Sequence, residues 1–259
     1  MSRVEQVATA IELNHLATLR EFAQGDRSEL LVNAEMIRVS TGVAYPLLNF
    51  VARPRFDHRQ VDGRIAALVE YFGERHLPFL VYLHPSAMPQ DLAYRLGRRG
   101  LHHWGIQDAM AVERLNPNVR TNPNVQIEVA RDPETLAKAA EINAQVYHLP
   151  PNAAAHMRAV MMTALYDPAV YVYLGRLHGI PAGSLVLVLK AGVAGLYGLG
   201  TLPEYRGHGV AISLMVRAIT DANRLGFRTA VLQAPPGGVR LYRRLGFETY
   251  FRVDIYTGG

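Results

Sequence analysis

The chain has 259 residues, 49% of them hydrophobic and 19% charged, enough for two modest domains with real cores. Cysteine is absent, which excludes disulfides, thiolate metal sites and a cysteine nucleophile. The net charge is +5 and the pI near 9.5, a small excess for this length with no basic run long enough to track a phosphate backbone, so it implies no nucleic-acid partner, though it would help attract an anionic cofactor.

In chain order, an amphipathic helix is predicted over 4–24, then strands over 36–40 and 43–51. A helix over 61–75, a strand over 79–83, a helix over 90–99 and a strand over 102–113 follow. The Asn116-Pro117 and Asn122-Pro123 pairs favour turns and bar helix continuation. The domain boundary is placed there, giving a first domain over 1–116, a linker over 117–124 and a second domain over 125–259.

The second domain opens with a strand over 125–130. Asp132, Pro133 and Glu134 supply the N-cap, N1 proline and early acid of a helix running to about 147. His148-Leu149-Pro150-Pro151 breaks it, and a second helix over 153–165 is closed by Asp167-Pro168. Strands over 170–177, 182–189 and 193–201 are joined by His178-Gly179 and Ala191-Gly192, which read as hairpin turns. From Gly209 the period changes: Ala211, Met215, Ala218, Ala222 and Leu225 share one helical face, with Gly226 as cap. A strand over 228–233, a short helix over 237–245 capped by Gly246 and a strand over 247–256 complete the order.

The run Arg98-Arg99-Gly100-Leu101 lines up with Arg244-Leu245-Gly246-Phe247, so the chain reads as two copies of one α/β (α+β) fold. The copies are unequal. Leu96 stands where the second has Tyr242, and 56–63 contains no glycine pair. The first copy is therefore expected to lack an anion-binding loop and to act structurally or in shaping the site of the second.

Arg206-Gly207-His208-Gly209-Val210-Ala211 lies between a predicted strand and a predicted helix. Glycines let the backbone turn with several N–H groups pointing inward, and the positive end of the helix adds to them. Such a loop can cradle an anion, although an ordinary glycine-rich turn has the same pattern. The P-loop is excluded because neither Lys138 nor Lys190 follows a glycine, and the dinucleotide fingerprint fails because Ile212 stands where a third small residue is needed.

Arg206-x-x-Gly209-x-Ala211 resembles the Arg/Gln-x-x-Gly-x-Gly/Ala signature of the GCN5-related N-acetyltransferase superfamily, and Leu241-Tyr242-x-x-Leu245-Gly246-Phe247 is similar to its last-helix motif. The resemblance covers about 125–259, and the first half resembles a degenerate tandem copy. It implies two acyl-CoA N-acyltransferase-like domains, each a mixed, mostly antiparallel sheet flanked by helices. It also implies a splayed pair of parallel strands, 193–201 and 228–233, with the pantetheine of acetyl-CoA lying between them. Leu199, Gly200 and Thr201 would bond the pantetheine and polarise the thioester, Gln233 would line the gap, and Arg206, Gly207, His208, Gly209, Val210 and Ala211 would take the pyrophosphate. A primary amine, small-molecule or peptide, would attack directly, and fixed N–H donors would stabilise the oxyanion.

The leaving thiolate belongs to a thiol of pKa roughly 8.5, which a phenol of roughly 10 can protonate at hydrogen-bond range. Tyr242 is the candidate acid; the same residue also reads as a buried helix tyrosine beside Leu241 and Leu245. Many relatives place a glutamate base on the fourth strand, where this chain has Gly195, Leu196, Tyr197 and Gly198. A water relayed by backbone carbonyls or Tyr197 is one substitute, and an acceptor arriving neutral is another. The missing carboxylate also motivates an alternative, a catalytically silent acyl-CoA-binding module.

The acceptor is expected near 147–151 and Tyr166. No metal is expected, since the histidines lack ligand spacing. Without a long apolar run or a signal-peptide layout, the chain reads as a cytoplasmic monomer or homodimer with no membrane partner.

Overall fold

The computed structural model describes residues 2–259. In chain order the elements of the first part are α1 (Arg3–Arg20), β1 (Glu29–Val32), β2 (Ile37–Ser40), β3 (Phe50–Ala52), α2 (Val61–Glu74), β4 (Phe79–Leu83), α3 (Leu92–Arg98) and β5 (His102–Val112). The second part carries β6 (Val125–Ala130), α4 (Pro133–Val146), α5 (Pro151–Met162), β7 (Val170–Leu177), β8 (Ile180–Lys190), β9 (Val193–Thr201), α6 (Val210–Arg224), β10 (Ala230–Ala234), α7 (Val239–Leu245) and β11 (Glu248–Gly258). Among the described residues no helix is long and apolar enough to cross a membrane.

The chain divides into two compact units. One comprises Met1–Ala17 with Ala109–Tyr250, the other Thr18–Asp108 with Phe251–Gly259. This differs from the seam at 117–124, because each end of the chain belongs with the opposite half. Proline and asparagine mark where the chain turns, whereas core membership follows from partners far along the sequence. Met110 and Val112 of β5, before the seam, sit in the same apolar cluster as Leu185, Leu214 and Leu232.

In the Thr18–Asp108 unit the strand order is β1-β2-β3-β4-β11. β3 and β4 are parallel; β4 and β11 are antiparallel, from Asp254↔Leu83 to Gly258↔Phe79. The core is built from Ile65, Leu68 and Phe72 of α2 against Phe79 and Val81 of β4, with Phe72 and Phe79 stacked at 4.3 Å. The strand expected over 43–51 is instead a 3-10 turn, Pro46–Leu48, followed by β3. Pro46 has no N–H to give a ladder, and the side chain of Asn49 satisfies the loop by accepting from the N–H of Thr41 (3.0 Å) and donating to the carbonyls of Val43 (2.8 Å) and Tyr45 (3.1 Å). The four-residue β1 was not expected; Glu-Leu-Leu-Val is too short to show a period.

In the Ala109–Tyr250 unit the order is β5-β10-β9-β8-β7-β6. The β6-β7-β8-β9 run is antiparallel, and both hairpin turns hold positive φ at both central positions (His178 50°, Gly179 80°; Ala191 55°, Gly192 73°), as a type I′ turn requires. Asp132 caps α4 by accepting from the N–H of Thr135 at 2.9 Å. α6 lays Leu214, Met215, Ala218 and Ala222 on one face of the sheet, and burying Leu214 alone stabilises the fold by ~2 kcal/mol. On the other face α4 packs Leu136, Ala139 and Ile142 against Val172 and Leu174.

Candidate functional site

β9 and β10 are the parallel pair, and their registered partners are Ala230↔Ala194 and Val231↔Gly195, both near the strand starts. Beyond Gly195 the ladder ends. On its other edge β9 steps out of register with β8: Ser184 faces Gly200 but Val186 faces Tyr197, so β9 carries an extra residue over 198–199. Gly198 takes φ +58° there, and its carbonyl accepts from the side-chain amide of Asn143 at 3.2 Å. The next carbonyl, that of Leu199, accepts from the Tyr147 hydroxyl at 2.9 Å. α4 thus fixes the bulge through two side chains one turn apart.

At the end of β9 the chain makes a 3-10 turn, Pro203–Tyr205, and enters the glycine loop. Gly207 (φ 80°) and Gly209 (φ 79°) are both left-handed, and Gly209 caps α6. The first helical bond of α6 runs from the N–H of Ser213 to the carbonyl of Gly209 at 3.0 Å. Among the described hydrogen bonds, the backbone N–H groups of residues 207–212 donate to no protein acceptor, so six donors gather at the positive end of a helix. The loop is braced from behind. Asn122 donates to the carbonyl of His208 at 2.8 Å, and the His208 ring nitrogen Nδ1 lies 3.0 Å from the Arg206 carbonyl. Arg206 turns its own guanidinium onto the Thr201 carbonyl at 3.3 Å.

The expected residues fall into two groups. Leu199, Gly200 and Thr201 lie on the released stretch of β9, and residues 207–211 belong to the donor loop, whereas the Arg206 N–H is spent on the Pro203 carbonyl at 3.3 Å; the buried side chain of Val210 packs into the core, so this residue offers its N–H alone. On β10 both amide atoms of Gln233 are buried with no partner among the described residues, as is the Thr201 hydroxyl. A fully orphaned carboxamide costs on the order of 1–3 kcal/mol per group, which suits a ligand that offers both a donor and an acceptor.

Tyr242 is held by α7, its ring 6.0 Å from that of Phe247 and packed against the apolar cluster of α6 and β10. Burial, and secondarily the neighbouring Tyr147 phenol, push its pKa well up. Tyr147 is 42% exposed as a residue, but its hydroxyl turns inward onto Leu199, and burial raises its pKa as well. Tyr166 is not brought to this group. It stands 84% exposed beside a separate cavity of about 310 Å³ lined also by Arg131, Asp167 and Tyr171. Sequence reasoning missed Asn122, Asn143 and Asn14; the last interrupts the buried stripe of Val7, Ile11 and Thr18 on α1, which was the available signal. Among the described residues no cluster of three His, Asp or Glu side chains could hold a metal ion.

Residues 112–238 match the family model described as an acetyltransferase (GNAT) domain. The fold of the whole chain is similar to that of a GCN5-related N-acetyltransferase from Kribbella flavida, with a TM-score of 0.72, 21% identity, and 100% of this chain and 96% of that one covered. It is similar also to one from Sphaerobacter thermophilus (0.64, 18%, 97% and 91%) and to a tandem GNAT protein from the clavulanic acid biosynthesis pathway (0.63, 14%, 98% and 94%). No curated protein matches. Residues 112–238 are thereby matched to the acetyltransferase (GNAT) domain family, and the fold of the whole chain is similar to that of GCN5-related N-acetyltransferases, a tandem one among them.

Proposed function

We propose that the second half of the chain transfers an acetyl group from acetyl-CoA to a primary amine. The observation that carries this reading is the row of N–H donors over 207–212, placed where β9 has parted from β10. A pyrophosphate suits a run of unpaired N–H donors at a helix N-terminus, and the orphaned amide of Gln233 suits the amide-rich pantetheine arm. Acetyl-CoA supplies the activated acetyl thioester when bound.

The protein's own contribution is then placement and one proton. Donors over 207–212 anchor the cofactor's anionic end, and the bulge at 198–199, pinned by Asn143 and Tyr147, sets the strand against which the thioester lies. Tyr242 keeps its proton throughout the neutral range because its pKa lies above the ordinary phenol value. A weaker acid is less ready to give that proton up, but the burial that raises the phenol also disfavours a bare thiolate beside it, so the two pKa values rise together. No carboxylate stands on β9, where Gly195 and Gly198 occupy the strand. That observation favours a second reading, an acyl-CoA-binding module without turnover. Thiol release from acetyl-CoA across a panel of amines and peptides separates the two: amine-dependent release supports the transferase, and saturable binding without release on any acceptor supports the module.

A further inference from the structure

The cavity beside Tyr166 lies at the opposite end of the Ala109–Tyr250 sheet from the glycine loop. It is about 310 Å³ in volume and forms where β6 ends, at Ala130 and Arg131, and β7 begins, at Val170, with the turn after α5 closing it. The strand registers separate it from the donors over 207–212. Val170 pairs with Val188 on β8, whereas Thr201, just before the loop, pairs with Gly183. Roughly 15 Å of strand therefore lies between the two places.

The lining of this cavity carries one unspent charge. Arg131 is exposed, and among the described residues its guanidinium has no hydrogen-bond or ion-pair partner. The adjoining carboxylates are committed elsewhere. Asp132 accepts from the N–H and the hydroxyl of Thr135, at 2.9 and 2.8 Å. Asp167, on the cavity wall, accepts from the N–H of Ala169 at 2.8 Å and from Lys190 Nζ at 3.1 Å.

Tyr166 supplies a flat surface. Its side chain stands in solvent, yet its backbone is fixed: its own N–H and that of Asp167 both donate to the Thr163 carbonyl, at 2.9 and 2.8 Å. An aromatic side chain has only two χ angles to order on binding, so a ring held this way stacks at low entropic cost. Leu165 and Val170 add apolar lining. An unpaired guanidinium offers a planar fork to one carboxylate, whereas a phosphate dianion would meet a single unpaired cation and the acidic wall of Asp167.

We propose that this cavity binds a small aromatic monocarboxylate, its carboxylate on Arg131 and its ring on Tyr166, separately from acetyl-CoA. The site is additional to the one read as the transferase site and stands whether or not that reading holds.

The test titrates benzoate, phenylacetate and 3-phenylpropionate into the full chain by ligand-observed NMR, with benzylamine and acetate as controls. At least one of the acids is expected to saturate with a Kd of about 1 mM or tighter. Benzylamine keeps the ring and reverses the charge, acetate keeps the charge and lacks the ring, and each should bind at least about 10-fold more weakly. Arg131→Gln should weaken the acid about 10-fold or more, and Tyr166→Ala about 5-fold. Both side chains are exposed, so wild-type melting temperatures are expected; should either variant fail to fold, the two control ligands decide. Saturating acetyl-CoA should leave the Kd of the acid within about twofold, as for sites that share no contacts. Saturation by none of the three acids, equal affinity for either control, an unchanged Kd in folded Arg131→Gln or Tyr166→Ala, or displacement by acetyl-CoA would overturn the proposal. Absence of acetyl-CoA binding or of amine-dependent thiol release would count against the transferase reading alone.

Discussion

Tyr242 and Tyr147 are neighbouring phenols in unlike surroundings. Tyr147 spends its proton on the Leu199 carbonyl, fixing the strand, while Tyr242 sits deeper in the apolar cluster with its pKa raised. Tyr242→Phe keeps the ring and its contact with Phe247 and removes only the hydroxyl. Turnover is expected to fall by about 100-fold or more, the usual size of a general-acid contribution, with acetyl-CoA affinity within twofold of wild type. Single-turnover thiol release compared with equilibrium binding checks this, and unchanged turnover would take Tyr242 out of the mechanism. The pH dependence carries a sign. A raised phenol pKa keeps the acid form present below about 10, so no loss attributable to Tyr242 is expected on going from pH 7 to pH 9.

Among the elements, the loop into α6 was legible because its chemistry is local: two glycines two residues apart before a helical period can be read without knowing their neighbours. What braces it was not, since Asn122 meets His208 across 86 positions and Asn14 meets Val188 across 174. Helix starts with a cap and a proline, such as Asp132-Pro133, were found to the residue, whereas 43–51 read as a strand because Val43, Leu47, Leu48 and Val51 hide the break imposed by Pro46. Gly209→Ala tests the loop as an element. At φ 79° an L side chain is strained by about 1–2 kcal/mol, and its Cβ would sit 3.3 Å from that of Asn122. Acetyl-CoA affinity should drop roughly 10-fold as the donors lose their aim, with a smaller fall in melting temperature. Calorimetric titration reads the first and a thermal scan the second; a stable variant with wild-type affinity would show that the loop does not hold the pyrophosphate.

For the whole molecule, the exchange of chain ends between the two units means that neither half of the sequence is a self-sufficient piece. A fragment over 125–259 lacks Met110 and Val112 from its core and Asn14 from β9. It is expected to give no cooperative unfolding transition, whereas the full chain should; a cooperative melt of the fragment would contradict this. The other unit carries a separate pH sensitivity. His84, 3% exposed, has its pKa lowered to about 4 by burial, partly offset by a backbone hydrogen bond with Tyr82. The unfolded chain takes up that proton near 6.5 and the folded one only near 4, so stability is full above 6.5 and falls as the pH drops through that window, by roughly 3 kcal/mol in all. Urea midpoints at pH 7 and pH 4.5 should show the loss, and His84→Gln should flatten it.

The central claim, that the loop over 207–212 and the parted strands serve acetyl transfer from coenzyme A, is tested most directly by comparing thioester donors in one assay. Amine-dependent thiol release is measured with acetyl-CoA and with acetyl-pantetheine, which has the same reactive end but no pyrophosphate. The expected result is release from both, with kcat/KM at least about 100-fold higher for acetyl-CoA, as two or more charge-assisted bonds to the pyrophosphate require. Equal kcat/KM for the two donors, or no amine-dependent release from acetyl-CoA, would contradict it.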